Sequence, residues 1–376
     1  MSQTLEAQLV AWRRELHQYP ELSNEEFATT ERIQNWLRSA DIRQLPFDLK
    51  TGVIAEIGQG EPLIALRADI DALPIDEVAP VEFRSKNPGV MHACGHDIHT
   101  SVILGAALLL KARESSLPGR VRLLFQPAEE RFGGAKTLIG AGALEGVSAI
   151  FGAHNAPELP VGTFATRGGP FYANVDRFDI EIEGKGAHAA RPQEGVDSIV
   201  IASQIVTALQ TLVSRNYSPL ESVVVSVTRI EGGNTWNVLP QKVVLEGTVR
   251  THNDAIRAEI PARIEKLISS IAEGFGGRAQ LNWHGGPPAV VNTERWAEFS
   301  KQVAARAGYE VRHAEVQMGG EDFAFYLHNT PGTFVSIGSA SEFGLHHPGF
   351  NPDDSLIYPA AQFFSQLAEA ALQEIN

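Results

Sequence analysis

Residues 1–174 and 286–376 follow one pattern and residues 175–285 follow another. In the first, helical patterning opens the chain before Pro20 and again across 24–40, and short β-rich runs then alternate with helix-length ones. GVIAEIG and PLIALRAD read as strands, 98–114 as a helix, RVRLLFQ as a strand, 135–144 as a helix and SAIFGAH as a strand. Such alternation builds a helix-flanked, mostly parallel α/β sheet. In the second pattern DRFDIEIEGKG alternates with period two, 197–215 carries an apolar stripe, and ESVVVSVTRIEGG and KVVLEGTVRT are strands. A helix over 253–275 and the short strand AQLNWHG complete it. The order β-α-β-β-α-β is that of a ferredoxin-like α+β sandwich, and about 100 residues suffice for an independent domain. The chain therefore reads as one α/β domain, 1–174 with 286–376, interrupted by an inserted domain at 175–285.

Charge narrows the partners. Thirty-one Lys and Arg against 45 Asp and Glu leave −14, a field that repels phosphate backbones and anionic lipid. Neither nucleic acid nor a membrane surface is expected to bind. A single cysteine excludes an intramolecular disulfide, and the N-terminal segment lacks a signal-type apolar core. The most apolar run, IHTSVILGAALLL, is too short to span a bilayer, so a cytoplasmic protein is expected.

That one cysteine stands in MHACGHDIH, ahead of a helix. QPAEE follows directly on RVRLLF, HNAP on AIFGA, and GLHHPGF comes soon after the late strand GTFVSIG. The carboxyl-side ends of the strands in an open α/β sheet form its binding crevice, so these clusters can converge. Cys94, His96, Glu130, His154 and His346 are donors of transition-metal type and too many for one open catalytic zinc. They suit two cations sharing a ligand, and a thiolate such as that of Cys94 can bridge. Of the neighbouring carboxylates, Glu129 is assigned as the base that takes a proton from an attacking water and Glu130 as a ligand. Asp71, in RADIDALP, is assigned to orient a ligand histidine.

Plainer readings stand beside these. A lone histidine such as His17 or His284 reads as core or surface, and an isolated Glu-Glu as a solvated pair. Cys94-x-His96 alone is a weak metal signal, or a Cys–His nucleophile pair. The recurrence of polar clusters at strand ends favours the metal. The chain has no H-E-x-x-H, G-x-S-x-G, Walker loop or full G-x-G-x-x-G, which removes the commonest serine-hydrolase and nucleotide readings.

In order along the chain stand LRADIDALP, MHACGHDIHT, QPAEE, GAHNAP, GKGAHAARP, NVLP, GTVRT, GGEDFAFY and GLHHPGFNPDD. Together they resemble the amidohydrolase branch of the dinuclear-metal peptidases, the group of hippurate hydrolase, N-acyl-amino-acid deacylases and indole-acetyl-amino-acid hydrolases. The resemblance runs nearly end to end and implies a metallo-exopeptidase-like sheet with the insertion as a lid. It implies that Cys94 bridges two divalent ions, zinc or manganese first and cobalt or nickel next. Glu130 and His346 would complete one site, His96 and His154 the other, with Glu129 as general base. The lid would carry a homodimer contact. Its His188 would reach the scissile carbonyl oxygen, and Asn237 and Arg250 would meet a substrate carboxylate.

The expected activity is hydrolysis of the amide bond of N-acyl-L-amino acids bearing acetyl, benzoyl or aryl-acyl groups. The rivals are a dipeptidase or carboxypeptidase on the same dinuclear site and a non-catalytic metal-binding relative. This chain departs from many relatives at Gln193 and Trp236, positions that bear on substrate preference. It also offers His347 beside His346, and His346 is preferred because the ligand of the resemblance directly follows the Leu.

Overall fold

Four strands run side by side and parallel through the middle of an eight-stranded sheet: Arg120–Gln126, Leu63–Asp69, Val147–Ala156 and Gly332–Gly338. Antiparallel strands flank them, Val53–Gly58 with Arg43–Gln44 outside it on one edge and Thr163–Thr166 on the other. Glu310–His313 closes that second edge, parallel to Thr163–Thr166. Every residue of Val53–Gly58 and Leu63–Asp69 is buried, the composition a strand needs when both its faces are covered.

The computed structural model describes residues 2–375. Residues up to Phe171, Val290–Glu315 and those from Asp322 onward form one unit with this sheet. Helices Ser2–Gln18, His96–Lys111 and Ile357–Ile375 contribute Leu9, Val102 and Leu367 to a core shared with Leu66, Leu123 and Phe151. Each such side chain, fully buried, contributes about 1.5–3 kcal/mol. The three helices close around Gly105, where a Cβ would stand 2.6 Å from Leu9 and 2.7 Å from Ala361.

Tyr172–Ala289 together with Val316–Glu321 form the second unit. Its antiparallel sheet runs Val223–Gly232, Lys242–Thr251, Asn174–Glu183, Arg278–Gly285. Helices Ser198–Thr211 and Asp254–Gly274 lay Ile201, Ile205, Ile260 and Ile264 on Phe178, Ile180 and Leu245. Asp197 and Asn253 cap them, each accepting two backbone amides of the first turn, worth about 1 kcal/mol apiece. The α/β sheet and the βαββαβ insertion are the fold class the alternation predicted.

The boundaries differ in places. The helix expected at 98 begins at His96, because Gly95 in a left-handed conformation starts it earlier. The helix expected over 135–144 ends at Gly140, ahead of left-handed Gly142. The second unit is slightly wider than 175–285 and includes Val316–Glu321, a return with no periodic signal. That return is tied through its backbone carbonyls: Ala173 N donates to Gly319 O at 3.0 Å and the His252 ring, through Nε2, to Gln317 O at 2.9 Å. Among the described residues one stretch, Ser198–Asn216, is long and apolar enough to cross a membrane, yet its Ile201, Ile205, Leu209 and Leu212 are buried in this unit's core.

Candidate metal centre

Leu63–Asp69 and Arg120–Gln126 end beside one another, so the segments leaving them start from adjacent points at the carboxyl edge of the sheet. His154 lies inside Val147–Ala156 rather than after it, since that strand stays paired with Gly332–Gly338 as far as Ala156. Cys94 precedes Gly95, whose φ of 88° turns the chain into helix His96–Lys111. A Cβ on Gly95 would stand 2.3 Å from Asn155 Nδ2, the group that donates to Cys94 O at 2.7 Å. Gly95→Ala therefore meets a left-handed penalty of about 1–2 kcal/mol and a displaced Asn155. A lower melting temperature and reduced metal content are expected. Wild-type values for both would show that this turn does not set the site.

Cys94, His96 and His154 each bring one donor atom within 4.8 Å of the others, and so do Cys94, Glu130 and His346. Cys94 belongs to both sets. Its Sγ lies 3.3 Å from His154 Nε2, and His346 Nε2 lies 3.4 Å from Glu130 Oε1. His346 is held by its own backbone, φ 63°, with its amide donating to Ala93 O at 2.8 Å. Neighbouring His347 is occupied locally, stacked on Phe343 at 4.2 Å and accepting from Gly349 N at 3.0 Å.

The donors have the form a cation needs. His96 Nδ1 donates to Asp71 O at 2.8 Å and His154 Nδ1 to Asn155 O at 2.8 Å, so that in the neutral ring Nε2 is the lone-pair side. His96 Nε2 and Glu130 Oε1 are buried without a hydrogen-bond partner, 3.9 Å apart. Orphaned buried polar atoms of this kind are costly unless something satisfies them. The local field agrees. Burial, with Glu130 and Glu129 nearby, pushes the Cys94 thiol well up. Burial alone would keep His96 neutral, but Asp69, Asp71 and Glu130 push its pKa up to about 10. Burial and His99 hold His154 down at about 3. The carboxylate surplus seeks positive charge, and a divalent cation inverts the balance for the thiol by favouring the thiolate. The residues fit two divalent ions, Cys94 being common to both donor sets.

Asp71, assigned from the sequence to orient a ligand histidine, meets more than His96. Besides its carbonyl contact with His96, its Oδ1 accepts from Glu129 N and its Oδ2 from Glu130 N, both at 3.1 Å. Sequence reasoning missed the layer beneath. His99 Nδ1 donates to Asp69 Oδ1 at 2.7 Å while its Nε2 accepts from Asn155 N at 3.0 Å. Buried Arg67 spans Gln126, Asp69 and Asp322 at 2.8, 2.7 and 2.9 Å. Breaking such a buried pair from one side typically costs about 3–5 kcal/mol. LRADIDALP and GGEDFAFY contain these residues, but nothing in their spacing reveals which carboxylate faces which arginine.

In the second unit, His188 is exposed on a two-stranded ribbon where Ala187–His188 pairs with Val238–Leu239. Its Nδ1 accepts from Ala190 N at 3.1 Å, which leaves Nε2–H as an outward donor. Asn237 sits on the same ribbon, its carbonyl accepting from Ala189 N at 3.0 Å. Arg250 is half-buried on Lys242–Thr251, with its guanidinium on the Thr248 hydroxyl and Val249 O and, among the described residues, no carboxylate ion pair. Burial lowers its pKa from the ordinary arginine value. The structure thus gathers Cys94, His96, Glu129, Glu130, His154, His346 and Asp71 in one unit, and His188, Asn237 and Arg250 in the other.

Residues 65–370 match the family described as peptidase family M20/M25/M40. The chain is 48% identical over 371 residues to the N-acetyl-L-cysteine deacetylase of Bacillus subtilis (strain 168), covering 98% of this chain and 89% of that protein. It is 39% identical over 380 residues to the IAA-amino acid hydrolase ILR1-like 4 of Arabidopsis thaliana, covering 98% and 86%. Its fold is similar to that of the Bacillus subtilis YXEP protein, described as a dinuclear metal binding peptidase from the M20 family. There the TM-score is 0.89 and the identity 44%, with 99% of each chain covered.

Proposed function

This chain belongs to peptidase family M20/M25/M40, and from that premise we propose that it hydrolyses the amide bond of N-acyl-L-amino acids. The enzyme class is a metal-dependent amidohydrolase. The reading rests above all on two three-donor sets that share one buried thiol beside a pair of carboxylates. Cys94, Glu130 and His346 hold one divalent ion and Cys94, His96 and His154 the other, zinc or manganese before cobalt or nickel. Bound there, such ions polarise a carbonyl and lower the pKa of water.

The chain's own groups do the rest. Glu129 holds the proton lost by the attacking water and passes it to the departing amine. His188 donates through Nε2 to the oxygen on which negative charge grows. Arg250 and Asn237 bind the carboxylate of the amino-acid half, and the insertion acts as a lid that also carries a homodimer contact. Its edge strand Val223–Gly232 has a partner on one side only among the described residues, and Trp236 beside Asn237 is 92% exposed. Both favour that contact. An acyl amino acid offers this site one amide and one carboxylate, and the names of the Bacillus and Arabidopsis relatives both describe amides of amino acids.

The test is free amino acid released from N-acetyl, N-benzoyl and indole-acetyl amino acids and from dipeptides. The protein is first reduced and reloaded with manganese or zinc, with a chelated control. Metal-dependent release from acyl amino acids is expected. Release from dipeptides alone would move the assignment to a dipeptidase or carboxypeptidase. Turnover that survives chelation but not thiol alkylation would move it to a cysteine nucleophile.

A further inference from the structure

Glu129 and Glu130 sit on a three-residue helical turn, Glu129–Arg131, that is strained at both ends. Ala128 enters it at φ 51° and ψ 41°, and Phe132 leaves it at φ 52°. Neither is glycine, and a left-handed L-residue costs about 1–2 kcal/mol, so the surroundings must hold the turn in place.

Two buried carboxylates from other segments do so. Three successive amides are gripped: Ala128 N by Glu26 Oε1 at 2.9 Å, then Glu129 N and Glu130 N by Asp71 at 3.1 Å each. Glu26 is wholly buried and fixed in its turn. Its Oε1 also accepts from Asn24 N at 2.9 Å, and its Oε2 from the Thr51 hydroxyl at 2.8 Å. Three residues earlier, the Ser23 hydroxyl donates to Asp71 Oδ2 at 2.6 Å. One short segment before helix Phe27–Ser39 therefore reaches both clamps. No arginine, lysine or histidine pairs with Glu26 among the described residues, and burial raises its pKa, so its charge carries a desolvation cost that no ion pair offsets. An apolar side chain would fill the space without that cost. What the carboxylate adds is a hold on the Ala128 amide.

We propose that Glu26 is a positioning residue of the hydrolytic site: by fixing Ala128 in its left-handed conformation it sets where Glu129 and Glu130 point. The inference rests on the reading of Glu129 as base and Glu130 as ligand. A turn of three residues sends neighbouring side chains about a third of a revolution apart, so rotation at Ala128 swings both carboxylates together.

Glu26→Asp keeps the carboxylate but is one methylene too short to reach Ala128 N. A displacement near 1 Å can cost about 100-fold in rate, so kcat is expected to fall about 10- to 100-fold at full metal loading, with KM little changed. The visible spectrum of the cobalt-substituted protein, which reports the geometry around Glu130, is expected to shift. Glu26→Gln, whose amide oxygen can accept both amides, is expected to recover most of the lost kcat. Wild-type kcat and spectrum in Glu26→Asp would overturn the proposal, and so would a Glu26→Gln variant as impaired as Glu26→Asp. If Glu26→Asp fails to fold, Glu26→Met, which keeps the length of the side chain and removes the acceptor of Ala128 N, is read the same way. Glu129→Gln separates the two failures: retained turnover there removes the base but leaves the cobalt shift as the test of positioning.

Discussion

Glu129→Gln is expected to lower kcat by about 10²- to 10⁴-fold, the range a positioned general base contributes, while both metal ions stay bound. The amide matches the carboxylate in shape and can still hold a water, but it cannot take the proton. The backbone around it is independent of the change, because Asp71 Oδ1 grips the Glu129 amide and Asp71 Oδ2 the Glu130 amide. The neighbouring carboxylate stands closest to the histidines, with Glu130 Oε1 3.4 Å from His346 Nε2 and 3.9 Å from His96 Nε2. Glu130→Gln should therefore fail differently, by losing metal before it loses chemistry. Metal per chain by mass spectrometry, measured beside kcat, separates the two variants. A Glu129→Gln enzyme that keeps more than about a tenth of wild-type kcat would fall outside the lower bound and remove Glu129 from the base role.

That these side chains would come together was legible because most of them follow a strand or open a helix, and parallel-sheet topology gathers such places at one edge, although His154 lies within its strand. Cys94, His96 and Glu130 needed no more than that, and choosing His346 over His347 needed the resemblance as well. The partners of these donors were not legible. Glu26 stands in SNEE, at the start of a stretch read only as helical, and tertiary packing buries it against Ala128. His17 read as plain core or surface, yet its ring lies between Asp97 at 2.8 Å and Glu77 at 3.1 Å, far apart in sequence. Asp71 was assigned to a histidine, and its carboxylate grips two amides as well, a role that follows from the strained turn at Ala128. Hydrophobic periodicity reports which face of an element is buried. It carries no information on which buried polar groups meet across elements, and in this site those meetings fix the geometry.

Cys94→Ala is expected to empty both metal sites, whereas His154→Ala should empty one. The asymmetry follows from membership: Cys94 belongs to both donor sets, His154 to one and Glu130 to the other with His346. Losing a partner outside the ligand set typically costs about 10- to 100-fold in metal affinity, and losing a shared ligand should exceed that at both ions. The thiol is also the group whose chemistry depends most on the cations. In their absence burial and the two glutamates favour its protonated form, so metal binding must release that proton. Its removal costs the fold little, since Ala fills most of the space of a small buried side chain whose Sγ lies 3.3 Å from His154 Nε2. Metal-free Cys94→Ala should thus melt near the metal-free wild type, while the stabilisation that added metal gives the wild type disappears. Cys94→Asp restores a ligand able to bridge and should recover part of the loading. One ion retained by Cys94→Ala at wild-type affinity would show that the thiol serves a single site, and the shared-ligand assignment would have to be abandoned.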